Sequence, residues 1–249
     1  MKRNRSNLAL AVITVALLGA CKKDDSVVKT MSGDDTTLSA SADSAAARGH
    51  SMVRFVNVGN TGKDVALLMG EQTLFDNVKV SSVTDYREVS ANLAKFAARA
   101  FGSPDTTALA LNDEVLVDGN RYTVFLIAED LSRNTVHVVQ DEVLPDSGMA
   151  RIRVMHAAPG GPELDVSVAK DKKPLFSGVN FKSEAGYKDV PPARIVLEVR
   201  AKGEDKVLMR LPAMDLKAGT ATTIVISGAG KLAFFAFTDV MMPPVEPKM

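Results

Sequence analysis

The sequence predicts an all-β protein, two antiparallel β-sandwiches in tandem behind a leader and a polar tether. Three observations carry this. Short β-branched and aromatic runs such as "ELDVSVA", "RYTVFLIA" and "ARIVLEVR" alternate apolar with polar residues at period two, as a strand does with one face buried and one in water. Gly and Pro punctuate these runs, as at Gly160-Gly161-Pro162 and Pro191-Pro192, and no sustained helical period appears. A pattern about one hundred residues long, a usual domain size, occurs twice, from Val53 and from Ile152.

In chain order, the first element is a leader. Lys2, Arg3 and Arg5 precede an uncharged apolar run from Leu8 to Leu18, which has signal-peptide length and is too short to span a bilayer. Gly19 and Ala20 then precede Cys21, the only cysteine. This order resembles the lipobox of bacterial lipoproteins. The resemblance implies that residues 1–20 are removed, that Cys21 becomes the acylated first residue, and that the chain is held to a membrane by its lipid. Each buried methylene adds about 0.8 kcal/mol, so two or three acyl chains anchor firmly. No intrachain disulfide can form, and no later apolar run is long enough to cross a membrane.

Lys22, Lys23, Asp24 and Asp25 follow directly. "CKKDD" resembles the lipoprotein export signal of Bacteroidota, which implies an outer-membrane protein facing the cell exterior. The alternative is a periplasmic face, with these charges as the solvated start of a tether. Residues 21–51 are rich in Ser, Ala, Asp and Thr and lack aromatic residues; such a segment buries too little apolar surface to offset its ordering entropy and is expected to be a flexible tether.

The bulk numbers narrow the partners. Formal net charge is zero, and no basic stripe with interleaved aromatics occurs, so no nucleic-acid partner is expected. Hydrophobic content of 46% is enough for packed cores.

The two copies are expected at 52–146 and 150–242, joined near Pro145 to Ala150, with a tail at 243–249. Val53-Arg54-Phe55-Val56 lies over Ile152-Arg153-Val154-Met155, Leu74-Phe75 over Leu175-Phe176, Val78 over Val179, Tyr86 over Tyr187 and Gly119 over Gly219. Placing two extra residues in the loop after the first strand brings Asp64-Val65 over Asp165-Val166. "VSANLAKFAARAFG", Val89 to Gly102, is rich in Ala and reads as a helix by itself, but its counterpart is a strand, so strand is expected from Lys95 onward.

The second copy's "IRVMHAAPGGPELDVSV", "LFSGVNFKSEAGYKDVPPARIVLEV" and "LKAGTATTIVIS" resemble the bacterial family known as domain of unknown function 4397. Ala158 and Ala193 depart from its usual serine and glycine, and the first copy diverges further, with Asn57 in place of the histidine. The resemblance implies Ig-like β-sandwiches, often in tandem on exported proteins, and implies no established activity.

Motifs for chemistry are sparse. His156 and Asp165 form the one candidate polar site, able in principle to orient a base or bind a metal; the plainer reading is a hydrogen bond anchoring a loop, with Asp165 capping turn amides. No G-x-S-x-G, H-E-x-x-H or phosphate-loop motif occurs, no EF-hand spacing is present, and Cys21 is committed to acylation, so no catalytic residue, metal or cofactor is assigned. With no Trp and three Tyr, two of them copy-matched, a large aromatic sugar platform is not expected; Phe235 and Phe237 share one strand face and are expected in a core. The chain therefore reads as a non-catalytic binding or accessory module with an unknown protein or glycan partner. The alternatives are a hydrolase or metal-dependent protein built on His156 and Asp165, and a structural spacer or adhesin stalk.

Overall fold

The computed structural model describes residues 49–171 and 173–240. The leader, Cys21, Lys22 to Asp25, the tether as far as residue 48 and the tail from residue 243 lie outside the described residues. All the regular structure of the described residues is β, and each copy folds as a two-sheet sandwich.

In the first copy, β1 (His50–Val58), β4 (Ser82–Val83), β5 (Arg87–Ser90), β8 (Arg121–Ala128) and β9 (Asn134–Gln140) make one sheet, and β2 (Val65–Met69), β3 (Gln72–Val78), β6 (Leu93–Ala100) and β7 (Ala110–Val115) make the other, in order β3-β2-β6-β7. The second copy repeats the plan. One sheet runs β13-β10-β18-β19, from β10 (Ala150–His156), β13 (Lys188–Val190), β18 (Thr220–Ser227) and β19 (Ala233–Val240). The other runs β12-β11-β15-β16, from β11 (Leu164–Val168), β12 (Phe176–Val179), β15 (Leu197–Ala201) and β16 (Val207–Arg210), beside a small pair of β14 (Ala193–Ile195) and β17 (Met214–Leu216). β1 starts at His50, two residues before the expected boundary, and Ser51 is already buried with its hydroxyl on the Val117 carbonyl.

One pairing differs from a purely antiparallel plan. β1 runs parallel to β8, and β10 parallel to β18. Parallel neighbours need a long crossover, and in each copy the intervening strands of the opposite sheet supply it. The Ala-rich stretch is a strand: β6 sends Ala94, Phe96 and Ala98 into the core and pairs with β2 and β7. Small side chains give β6 little propensity of its own; its place between two strands decides its conformation.

Each sandwich has its own core, around Phe55, Leu67, Phe96 and Val124 in the first and Ile152, Leu164, Leu197 and Ile224 in the second. A third apolar layer joins them. Val56, Phe125, Ile127 and Val139 point away from the first core and meet Met155, Ala157 and Val225 of the second copy, with Phe235 and Phe237 packed against them. Fully burying each large side chain contributes roughly 1.5–3 kcal/mol. The two copies thus stack through their inner sheets and belong to one compact unit. The outer sheets, which contain β2 and β11, face away from this seam.

Candidate functional site

The densest group of buried ionisable side chains lies in the seam, where copy-matched residues exchange partners. Arg54 donates from Nε to Thr123 Oγ1 at 2.8 Å and from Nη1 to Asp239 Oδ1 at 2.7 Å. Arg153 donates from Nε to Thr223 Oγ1 at 3.0 Å, and its Nη2 lies 2.5 Å from Asp141 Oδ1. So each arginine is held by a threonine of its own copy and reaches the carboxylate of the other. The guanidinium groups lie over Tyr86 and Tyr187, 4.5 and 4.6 Å from the ring centroids. Tyr86 donates to Asp141 Oδ2 at 2.7 Å. Burial, with the Asp141 charge, raises the Tyr86 phenol well above its ordinary value, and burial pushes Tyr187 up to about 12. Such perturbed groups are what one seeks in an active site. Here Arg54 is 3% exposed and Arg153 1%, so the cluster is closed to substrates and serves as a clasp. Lys182, 2.7 Å from Glu129, adds a link at the edge.

The sequence candidates part company. His156 is fully buried and points between the sheets of its own sandwich. Its Nδ1 accepts from the Ala158 N–H at 3.2 Å, and its Nε2 lies 3.0 Å from the Pro162 carbonyl, the geometry of a neutral ring that donates there. Burial lowers its pKa against the pull of the Pro162 bond. Asn57 repeats the tie: its Oδ1 accepts from Gly59 N–H at 3.1 Å and its Nδ2 donates to the Val78 carbonyl. His156 therefore clamps the loop after β10. Asp165 shares no hydrogen bond with it. Its neighbours Leu164 and Val166 enter the core, so Asp165 points out of the far side of that sheet. Among the described residues, no three His, Cys, Asp or Glu are grouped to hold a metal.

Asp165 lies instead in an outward groove of about 710 Å³, lined by Asp165 and Ser167 of β11, Glu198 and Arg200 of β15, and the following turns with Lys170, Asp171, Glu204 and Asp205. Its carboxylate accepts from Ser177 Oγ at 2.8 Å, Gly178 N–H at 2.9 Å and Gly203 N–H at 3.1 Å. Burial opposes ionisation, but these bonds outweigh it and hold the carboxyl below its ordinary range. Glu198 lies 2.5 Å from Arg200 and 3.5 Å from Arg210. Ser167 is 4% exposed. A second hollow, about 400 Å³ at the loop end, is lined by Gly, Pro, Ala and Leu with Lys231 as its single charge, and so lacks a converging polar set.

Register shows that Asp165, Ser167 and Glu198 of this groove have no polar equivalent in the first copy, whereas Arg200 is matched by Arg99. Val65 opposite Val78 and Leu67 opposite Phe75 correspond to Leu164 opposite Val179 and Val166 opposite Phe176, with the same one-residue shift between them. Asp165 therefore corresponds to Ala66, not to the region of Asp64, and the expected match is corrected. The two extra residues lie later: seven residues separate Leu67 from Phe75 (68–74), and nine separate Val166 from Phe176 (167–175). The longer β11–β12 connection forms a wall of the groove through Lys170, Asp171 and Pro174. The shared Asp-Val dipeptide drew the sequence match out of register. Sequence inspection also passed over Ser167, Glu198 and Arg200, which belong to ordinary alternating strand patterns; only the pairing of β11 with β15 brings them together.

A family described as "Domain of unknown function (DUF4397)" matches residues 51–167 and again 150–248. No curated protein matches the chain. Among solved structures, the C-terminal domain of AlgF from P. aeruginosa is 23% identical, covering 37% of this chain and 100% of that domain, with a TM-score of 0.32. A "putative cell adhesion protein" from Bacteroides ovatus is 12% identical over 78% of this chain and 98% of its own, with a TM-score of 0.26. The family 26 carbohydrate-binding module CBMbc of Eubacterium rectale Amy13K, solved with maltoheptaose, is 8% identical over 78% and 98%, with a TM-score of 0.22.

Proposed function

The chain belongs to the family of the domain of unknown function DUF4397, carried in two copies, and from that premise we propose that it is a lipid-anchored, exterior-facing protein that binds saccharide chains in the groove of its second copy without transforming them. The observation that supports this reading is the contrast between the copies. At corresponding outward positions the first has Ala66, Leu68 and Ala97 and the second has Asp165, Ser167 and Glu198, while Arg99 is matched by Arg200. Burying polar groups costs free energy unless they are partnered, and the first copy builds the same sheet without them. Asp165 ties the turns at Gly178 and Gly203, and Ser167 and Glu198 are additions to what the shared sheet requires. Carboxylates accept from sugar hydroxyls, Arg200 and Lys170 donate to them, and Ser167 can do both. A saccharide fits this mixture of donors and acceptors better than an apolar ligand does.

Retention at the membrane rests on Cys21, with Lys22, Lys23, Asp24 and Asp25 as the outward address and the segment to residue 48 as the spacer. The absence of catalysis rests on His156 and Asp165 being held apart, each engaged by backbone donors or acceptors.

The test uses intact cells displaying the full chain, probed with protease and with a panel of labelled polysaccharides. The wild type is expected to be shaved, to retain at least one polysaccharide, and to release it unshortened. A variant given the first copy's residues, Asp165→Ala, Ser167→Leu and Glu198→Ala, is expected to be shaved equally and to retain none. Protection from protease until the outer membrane is opened would refute the exterior placement; shortened polysaccharide would refute the absence of catalysis; undiminished binding by the variant would remove the groove from the proposal.

A further inference from the structure

The outer sheet of the first copy presents a different surface. Ala94, Phe96 and Ala98 of β6 enter the core, so Leu93, Lys95 and Ala97 point outward, as do Leu111, Asp113 and Val115 of β7. Leu93 is 56% exposed, Leu111 70% and Val115 61%, and nothing among the described residues covers them. Their cross-strand register is Leu93 opposite Val115, Lys95 opposite Asp113 and Ala97 opposite Leu111. Lys95 and Asp113 are both exposed and form no ion pair within 4.0 Å among the described residues.

We propose that this face is where a second copy of the same chain docks, forming a two-fold dimer. The surface is self-complementary in charge, and its exposed apolar residues flank the charged pair. A two-fold axis running along the strands, between β6 and β7, lays β6 of one chain over β7 of the other. Each cross-strand partner then becomes a partner across the interface. Leu93 meets Val115 of the partner subunit and Lys95 meets Asp113 of the partner subunit, while Leu111 of the partner subunit comes to lie over Ala97, which is itself only 7% exposed. The symmetry makes each contact twice, as an isologous interface must. Face-to-face sheets pack about 10 Å apart, within reach of these side chains.

The chain already uses this mode of association internally. Its two inner sheets stack face to face, apolar residues surround the contact, and Arg54–Asp239 with Arg153–Asp141 exchange charges between matched copies. The β6–β7 face has the same ingredients, an oppositely charged pair between apolar pairs, without a partner among the described residues. Rotation about an axis along the strands also preserves strand direction, so two chains held to one membrane through their N-terminal segments can meet this way. The groove is on the other copy and plays no part in the contact.

The test is disulfide capture between full-length chains on cells. A Leu93→Cys chain and a differently tagged Val115→Cys chain are coexpressed, so that a disulfide between tags must join two molecules; Cys21 is present in every control. The mixed pair is expected to cross-link, and a pair bearing Leu131→Cys, at an 81% exposed position away from this face, is not. Lys95→Asp in both chains sets two carboxylates against each other and is expected to abolish capture, while adding Asp113→Lys to both restores it. Surface level and thermal stability of each variant distinguish loss of contact from loss of fold. No mixed cross-link in the unreversed pair, or capture indifferent to charge reversal, would overturn the proposal.

Discussion

Removing the Arg153 guanidinium tests whether the seam is a structural clasp. In Arg153→Met, most of the buried stem is kept while Asp141 loses a cation 2.5 Å from its carboxylate. Breaking a buried ion pair from one side costs about 3–5 kcal/mol, because it leaves an uncompensated charge. Asp141 retains hydrogen bonds from Tyr86 at 2.7 Å and Thr123 at 2.6 Å, and Arg54 remains 3.8 Å away, which places the loss near the lower end of that range. At about 2–4 °C per kcal/mol for a chain of this size, about 3 kcal/mol lowers Tm by roughly 6–12 °C. Scanning calorimetry gives the value directly. The wild type is expected to unfold in one transition, since the copies share a buried layer. The double variant Arg153→Met, Asp141→Asn is expected to lose less than the sum of its parts, because the amide carries no charge to strand; contacting residues couple by about 0.5–3 kcal/mol. A Tm within 2 °C of wild type in the single variant, or strict additivity in the double, would refute the clasp.

Two other predictions follow from buried groups. His156→Ala removes a partner from both the Ala158 N–H and the Pro162 carbonyl and is expected to cost about 1–3 kcal/mol in urea unfolding. His156→Asn, which reproduces Asn57, is expected to recover most of that loss; if Asn is no better than Ala, the loop-tie account fails. Alkali is expected to destabilise the fold through its two seam phenols. Between the unfolded value of 10.0 and the folded value of about 12 for Tyr187, the unfolded chain releases a proton that the folded chain keeps, so stability falls as pH rises through that window. The loss approaches roughly 3 kcal/mol for this residue by pH 12, and Tyr86 adds to it in the same direction. Phenolate absorbance from both residues while the chain is still folded would contradict this.

The parts of the fold legible in the sequence were those written in local period and repetition. Ile195, Leu197 and Val199 alternate along one stretch, and Tyr86 with Tyr187 marks the repeat; both survive into strands and clasp. The strand nature of "LAKFAARA" came only from comparison with its counterpart, because Ala carries little strand preference. The parallel pairing of β1 with β8 left no local trace, since it joins residues about seventy positions apart and depends on the whole crossover. The face-to-face stacking was equally hidden: Phe125 and Ile127 look like any core residues of a strand, yet they sit on the side opposite Val124 and Leu126. The candidate site was half legible. Asp165 stood out through its nearness to His156, but that proximity in sequence crosses from one sheet to the other.

The duplication supplies a physical control within a single molecule. Residues preserved between copies, Arg54 with Arg153 and Thr123 with Thr223, face the seam and hold the two halves together. Several corresponding outward positions have separated in chemistry, toward Ala66, Leu68 and Ala97 in one copy and Asp165, Ser167 and Glu198 in the other, while Arg99 and Arg200 have not. These outward side chains lie outside the two cores, though most are buried against their neighbours, so two copies can diverge there where each new polar group finds a partner, as Asp165 does. Inward and seam positions have no such freedom, because cavities and unpaired charges cost several kcal/mol each. Substitution at matched seam positions should therefore move Tm most, while exchange between the two outer faces should cost stability where a buried bond is lost, as at Asp165, and otherwise move what the protein binds.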